Sequence, residues 1–411
     1  MNVCKCRFCG SAELSSLIDL GMQPLANAFT ESVDASKGLK KYDLEVLRCL
    51  NCNLCQLSTV VHWSEIYVDY YYHSSTSKPL VKQYEMLVES LVLASDLQSD
   101  DRVLDIGCND GIMLDAYERF LKKEQRVGVD PSSACLIAKE KGYQAYQSPI
   151  DVDLAKDICL DVQSRFKIIT ATNVFAHIDN IHEVVESIKI LLDENGIFVI
   201  EAPYLFDMLQ SGYFDVIYHE HYSYLSLMPI KKLFEKYGLS VFNVEKSDVA
   251  ASGPSVRYFI SWNGKKAINK NVDLMLQQEK NLIDQNIFDS FSNNVKKWKE
   301  NLLGIINNEL GNGGKIGFIG APAKGNTLLN YLFEDSIDGV QYIAEVNEKK
   351  IGRYSPGLGL EVINEDDFSK ISFSLAILLT WNYPKYFIDK FKQERPGYKL
   401  VVPLPEIKVY E

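Results

Sequence analysis

Two Cys-x-x-Cys pairs, Cys6 with Cys9 and Cys49 with Cys52, constrain the start of this chain more than any other feature constrains any part of it. Each pair sits in a short polar context ("CRFCGS", "RCLNCN"). Together they supply four thiolates, the ligand set of a closed tetrahedral zinc site that holds a fold rather than catalyses. Cys4 and Cys55 each stand close enough to replace a neighbour in register, and the two-residue spacing favours the four named first. Six of the nine cysteines fall within the first 55 residues, which suits one local metal site better than scattered disulfides. A loop-rich metal-binding lobe over residues 1–66 is the expectation.

Further on the pattern changes. "LVKQYEMLVESLVLASDL" from Leu80 to Leu97 has apolar positions three and four apart and predicts an amphipathic helix. "DRVLDIGCNDGIMLDAYERFL" then reads as strand, glycine-containing turn and helix, and "RVGVDPS" as a second strand ending in Asp130. Further strands are expected at "FKIITATNVF" and "GIFVIEAPY", with the helical "IHEVVESIKILL" between them. Alternating strand and helix predicts a mostly parallel sheet with helices on both faces, and ligands at the carboxyl ends of its strands. Residues 269–310 read as helical connections. After "GNGG" the pattern restarts as strand "KIGFIGA", loop "PAKGN", helix "TLLNYLF" and strands "VQYIAEVN", "SLAILLTWN" and "YKLVVPL". The fold class is therefore α/β. An N-terminal zinc-binding lobe precedes a central Rossmann-like domain over residues 67–268, and a smaller Rossmann-like α/β domain with its helical connection fills residues 269–411.

With 46% hydrophobic and 24% charged residues, the 411-residue chain has the composition of a soluble globular protein. A formal net charge of −12 argues against nucleic acid or an anionic membrane as the main partner, although a local basic pocket for a phosphate remains compatible with it. The expected partner is a small molecule. No apolar run reaches the roughly 18 residues of a membrane span, and "MNVCKCRFCG" has no signal-like apolar core, so a cytoplasmic protein is expected. A monomer is the expected state.

The turn "LDIGCNDG" resembles the first motif of the S-adenosylmethionine (SAM) dependent methyltransferases. Gly107 and Gly111 let the backbone approach a cofactor, Asp105 favours its positively charged end, and Asn109 lies between the glycines. Asp130, closing the second strand, is placed to accept both ribose hydroxyls. The dinucleotide fingerprint Gly-x-Gly-x-x-Gly is absent, which disfavours a dehydrogenase. Asn173 and His177 in "ATNVFAHI" fall where the fourth strand should end, facing cofactor and substrate. In "IGAPAKGNT", Asn326 stands where a phosphate loop needs lysine, so a triphosphatase is unsupported. A turn at a helix N-terminus with Lys324 beside it still suits a diphosphate, and Arg353 in "KKIGRYSPG" adds a second cation. "DVIYHEHYSYL", Asp215 to Leu225, crowds Tyr218, His219, Glu220, His221, Tyr222 and Tyr224 together. Two histidines two residues apart do not match the His-Glu-x-x-His zinc-protease spacing. If the stretch is extended, Tyr218, Glu220 and Tyr222 face one way and the histidines the other.

In this order "CRFCGS", "RCLNC", "LGMQPLANAF", "YYYHSSTS", "LDIGCNDG", "NVFAHI", "IYHEHYSY", "GAPAKGNTLLNY" and "EVNEKKIGRYSPG" resemble the zinc-containing sugar C-methyltransferases of deoxysugar pathways, such as the enzyme of D-tetronitrose biosynthesis. The resemblance covers nearly the whole chain. It implies a structural zinc, SAM as cofactor, and a C-terminal domain holding a nucleotide-diphosphate-linked 4-keto-deoxyhexose that is methylated at carbon 3. It implies His221 as the base, with Glu220, Tyr218, Tyr72 and His177 around the sugar. It also brings Asn326, Thr327 and Tyr354 to the substrate beside Lys324 and Arg353. One departure is "ASGPSVR", residues 251–257, where related chains carry His-Gly-Gly-Ser. Proline there removes a backbone donor, and the sugar is expected to differ with it. An O- or N-methyltransferase of a nucleotide sugar, or a non-catalytic binding protein, are the rival readings.

Overall fold

The structure, a computed structural model, describes residues 3–66, 74–247, 254–334, 340–382, 384–394 and 397–411. Three sheets organise them. The largest has seven strands in the order Leu239–Ser247, Ser255–Trp262, Leu192–Pro203, Phe166–Thr172, Val103–Ile106, Arg126–Val129 and Gln144–Tyr146. Ser255–Trp262 runs antiparallel to both its neighbours, and the remaining pairs are parallel. All four residues of Val103–Ile106 and of Arg126–Val129 are buried, as strands covered by helices on both faces must be. The chain order reverses beside Val103–Ile106, and the crevice at that switch point is where such a sheet binds ligands.

The helix expected after residue 80 runs over Lys78–Ser95, with Pro79 in its first turn. It buries Leu80, Tyr84, Leu87, Val88 and Leu91, spaced by three and four, and ends at Asp96 in the left-handed conformation. A second α/β unit has strands in the order Glu361–Asn364, Val340–Glu345, Ile316–Ile319, Leu375–Leu378, Lys399–Val402 and Lys408–Tyr410, of which only the last pairs antiparallel. Two helices, Lys270–Asp284 and Ile287–Gly311, connect the seven-stranded sheet to this unit. The second of them buries Phe291, Val295, Trp298, Leu302 and Ile306 along one stripe. Its Trp298 Nε1 donates to the Pro403 carbonyl at 2.6 Å.

The third sheet belongs to the cysteine-rich lobe: Leu14–Pro24, Lys41–Cys49, Cys55–Leu57 and, from much later in the chain, Ser223–Tyr224. That fourth strand pairs antiparallel with Cys55–Leu57, so residues 1–66 do not contain their whole sheet. The lobe also touches the C-terminal unit. Thr30 bridges Tyr354, and Ser36 Oγ donates to the Ser355 carbonyl at 2.6 Å. Among the described residues no helix is long and apolar enough to cross a membrane.

Candidate active site

The four expected metal ligands converge. The sulfurs of Cys6, Cys9, Cys49 and Cys52 lie within 4.8 Å of one another, with Cys6–Cys52 and Cys9–Cys49 both at 3.5 Å. Four sulfurs about 2.3 Å from one zinc would stand roughly 3.8 Å apart, so the cluster fits that ion. Cys4 is exposed and Cys55 is buried outside the cluster, its thiol pushed up to about 12 by burial. The register ambiguity is thereby removed. Asn51 Nδ2 donates to Cys9 Sγ at 3.6 Å, an outer contact of the kind that orients a ligand.

A cavity of about 1040 Å³ is lined by residues from the metal lobe, the seven-stranded core and the C-terminal unit. At its first wall, Gly107 has φ 76°, and a Cβ there would fall 2.0 Å from Val174 Cγ2. Only glycine lets the loop after Val103–Ile106 pass so near the loop after Phe166–Thr172. Gly111 (φ 85°) starts the short helix Ile112–Ala116 and does not line the cavity. Asp105, Asn109, Asp130 and Asn173 do. Asp105 accepts from Thr170 Oγ1 at 2.6 Å, and burial pushes its carboxyl up to about 7. Asp130 accepts from Asn109 N at 2.9 Å and from Ser132 N and Oγ at 2.7 and 2.6 Å. Burial raises it too, against the pull of those donors. Asn109 Oδ1 is already used by Ser74 N, at 3.0 Å. Asn173 is left-handed (φ 57°), and its buried Oδ1 has no hydrogen-bond partner among the described residues. A wall with two buried carboxylates and an orphaned carbonyl oxygen suits a cationic ligand carrying hydroxyls, which SAM is. Such a ligand, when bound, supplies an electrophilic methyl group.

The second wall is the "YHEHY" stretch, and here the structure departs from an extended strand. His221 N donates to the Tyr218 carbonyl at 2.9 Å, so the residues form a turn. Tyr218, Glu220 and His221 consequently line the cavity together, while His219 is buried elsewhere with its ring 5.7 Å from that of Tyr42. His221 Nδ1 lies 2.7 Å from the Val216 carbonyl, which can only accept. Nδ1 therefore carries the proton and Nε2 keeps its lone pair. The His221 ring stands 4.1 Å from that of Tyr218 and 4.7 Å edge-on from that of His177. Burial lowers His221 to about 4, and burial with the neighbouring His221 ring holds His177 well below the usual histidine range. Glu220 moves the other way, up to about 7, again by burial. It accepts from Asn27 Nδ2 at 2.6 Å. Tyr72, and residues 251–253 of the departing "ASGPSVR" segment, lie outside the described residues.

The third wall is cationic. Lys324, Lys349, Lys350 and Arg353 line it. Lys324 Nζ donates to Asn382 Oδ1 at 2.9 Å and lies 4.2 Å over the Trp381 ring. Lys350 Nζ donates to the Ala321 carbonyl at 2.8 Å, and Arg353 pairs with Glu31 at 3.3 Å. The expected loop "PAKGN" is instead the first turn of a helix, Ala323–Phe333, beginning after Pro322. A Cβ at Gly325 would sit 2.9 Å from Leu379 Cβ, so the helix packs hard against the end of Leu375–Leu378. That packing takes Asn326 and Thr327 away from the cavity. Both are buried, and Asn326 Nδ2 donates to the Ala26 carbonyl at 2.7 Å. Tyr354 likewise is not on the cavity wall: its backbone pairs with Thr30. Sequence reasoning missed Asn27, Lys349 and Lys350 as site residues, although all three lie inside the strings "LGMQPLANAF" and "EVNEKKIGRYSPG".

Three family models match in chain order: a zinc binding domain over residues 6–67, a methyltransferase domain over 82–244 and a C-methyltransferase C-terminal domain over 250–405. The C-methyltransferase NovU of Streptomyces niveus is 26% identical over 409 residues, covering 98% of this chain and 96% of that protein. A ubiquinone biosynthesis O-methyltransferase of Rhodopseudomonas palustris is 29% identical over 119 residues, 29% of this chain and 45% of that protein. Among solved structures, a SAM-dependent methyltransferase from Clostridium acetobutylicum matches 49% of this chain and 96% of its own, at 14% identity and a TM-score of 0.34. The three models in sequence and the end-to-end likeness to a C-methyltransferase give the chain the domains of a SAM-dependent C-methyltransferase behind an N-terminal zinc-binding lobe.

Proposed function

We propose that the enzyme methylates carbon 3 of a nucleotide-diphosphate-linked 4-keto-deoxyhexose by forming an enolate that attacks the methyl group of SAM. The observation that carries this reading is the His221 tautomer: Nδ1–H is held by the Val216 carbonyl, which leaves a proton-accepting Nε2 on a cavity-lining ring. A histidine buried to a pKa of about 4 is neutral at physiological pH but a weak base. It can take a proton from carbon only where the resulting charge is stabilised, and a ketone beside that carbon provides the oxygen on which it gathers. Tyr218 and His177, each packed on the His221 ring, are the donors proposed for that oxygen. Glu220, held by Asn27, is proposed to accept from a sugar hydroxyl. The diphosphate is assigned to the wall of Lys324, Lys350 and Arg353, where cations converge in an otherwise acidic protein. In this reading residues 1–66, 67–268 and 269–411 contribute the metal lobe, the methyl-transfer core and the nucleotide-holding unit.

The test is proton exchange uncoupled from methyl transfer. Incubated in deuterated water with a nucleotide-linked 4-keto sugar and S-adenosylhomocysteine, the enzyme should exchange the proton beside the ketone, and His221→Ala should lose both exchange and methylation by about 100-fold or more. Methylation without exchange would favour transfer to oxygen or nitrogen instead. Exchange at the wild-type rate in His221→Ala would assign the base elsewhere.

A further inference from the structure

The short helix Phe214–Val216 is gripped by aromatic side chains from the C-terminal half of the molecule. Phe214 packs edge-on against Trp298 and Tyr331, with ring centroids 4.8 and 5.2 Å away, and Tyr213 lies 5.8 Å from the Trp381 ring. Between them Asp215 is fully buried, and its Oδ2 accepts from Trp381 Nε1 at 2.6 Å. Tyr331 and Trp381 belong to the C-terminal α/β unit, and Trp298 to the long helix leading into it. One residue beyond Asp215, the Val216 carbonyl holds His221 Nδ1. Trp381 also lies beneath the Lys324 ammonium, and its neighbours Thr380 and Asn382 line the cavity. Asp215 itself does not.

Burying a carboxyl group costs free energy unless it is bonded, and this one retains an Oδ1 with no hydrogen-bond partner among the described residues. A leucine would fill the space without that cost, so its placement calls for a task. We infer that Asp215 is a positioning residue: by anchoring Phe214–Val216 to Trp381 it fixes the Val216 carbonyl, and through it the orientation and tautomer of His221. The inference rests on the reading of His221 as the base. Its consequence is that the unit assigned to the nucleotide also sets the geometry of proton removal, through a path that touches neither ligand. Loss of the anchor leaves the histidine present but misaimed, and the rate of a proton transfer is sensitive to displacements of about an ångström or less.

The experiment compares Asp215→Ala with Asp215→Asn, which keeps an oxygen to accept from the indole, and with Trp381→Phe, which removes the donor. Measured per folded molecule, Asp215→Ala should lower kcat for methyl transfer and the rate of deuterium exchange in parallel, by about tenfold or more. The affinity for SAM should stay within about twofold of wild type, while any rise in the KM for the sugar nucleotide, from loss of the carboxylate that favours the Lys324 ammonium, should appear equally in Asp215→Asn. Asp215→Asn should recover kcat to within about threefold, and Trp381→Phe should reproduce the alanine defect in exchange, which keeps the test open should Asp215→Ala fold poorly. A lowered melting temperature with full kcat per folded molecule would overturn the inference, since the role would be structural only. So would a raised KM with unchanged kcat, which would place Asp215 in nucleotide binding through Lys324. Failure of the underlying reading looks different: His221→Ala would then exchange at the wild-type rate whatever the Asp215 variants do.

Discussion

His221 and Glu220 adjoin in sequence, share one buried turn, and are driven apart in acidity by the same cause. Burial disfavours whichever form is charged, so it lowers the imidazole to about 4 and raises the carboxyl to about 7. The sign has a kinetic consequence. His221 is neutral at any pH above about 4, whereas Glu220 becomes ionised only as pH rises through about 7. At saturating SAM, which keeps Asp105 occupied, kcat/KM for the sugar nucleotide should therefore rise through an apparent pKa of about 7 that belongs to Glu220, with the histidine limb well to the acid side. In Glu220→Gln that limb should vanish from a pH–rate profile. A limb that persists in that variant near the ordinary histidine value of about 6.5 would mean that His221 titrates like an exposed histidine. At this scale the sequence was legible in residue type but not in direction. The crowding of Tyr218, Glu220 and His221 was visible, but an alternating strand puts the acid and the histidine on opposite faces. The turn that unites them depends on the Tyr218 carbonyl accepting from His221 N, which no local spacing announces.

Among elements, the zinc lobe shows most clearly what a sequence can and cannot carry. Four cysteines in two close pairs were readable because tetrahedral thiolate ligation favours that spacing. The sheet beside them was not, since its fourth strand, Ser223–Tyr224, arrives from far beyond Leu57 in the chain and directly follows the turn that carries His221. The helix at Ala323 was misread for a different reason: glycine and proline in "PAKGN" suggest a loop, whereas Gly325 is there so that the helix can approach Leu379. Metal lobe and cavity are thus joined through that strand, the segment carrying Asn27 and the stretch from Val60 to Ile66, all of which reach the cavity wall. Cys49→Ser should lower zinc content, by atomic absorption, and soluble folded yield together, because the ligand energy is also folding energy. The folded remainder should be impaired in methyl transfer, as the strand and the Asn27–Glu220 contact both rest on the lobe. A zinc-free, well-folded and fully active Cys49→Ser enzyme would contradict this account.

At the scale of the whole molecule, charge is partitioned. The chain carries a formal net charge of −12, yet one wall of its central cavity gathers Lys324, Lys349, Lys350 and Arg353, while another holds Asp105 and Asp130. In the proposed function, two ligands of opposite charge are thereby sorted to different walls, the cationic methyl donor to the carboxylates and the proposed anionic diphosphate to the lysines. Sorting of this kind arises only from the assembled fold, because the two walls come from different sheets far apart in the chain, although the strand–helix alternation of each was evident from the start. It makes the contributions separable. Burial lowers the Lys324 ammonium and the Asp215 carboxylate opposes that shift, so an anionic partner on the cavity side would favour the same charged form. A diphosphate is bound alike before and during reaction at a remote carbon, so removing its cation removes uniform binding. Lys324→Ala should then raise the KM for the sugar nucleotide by roughly tenfold or more, reflecting the about 1.5–3 kcal/mol of a hydrogen bond to a charged group, with kcat changed little. SAM affinity, measured by calorimetry, should stay near wild type because neither carboxylate on the other wall is touched. Weaker SAM binding with a normal KM for the sugar nucleotide would reverse the assignment of the two walls.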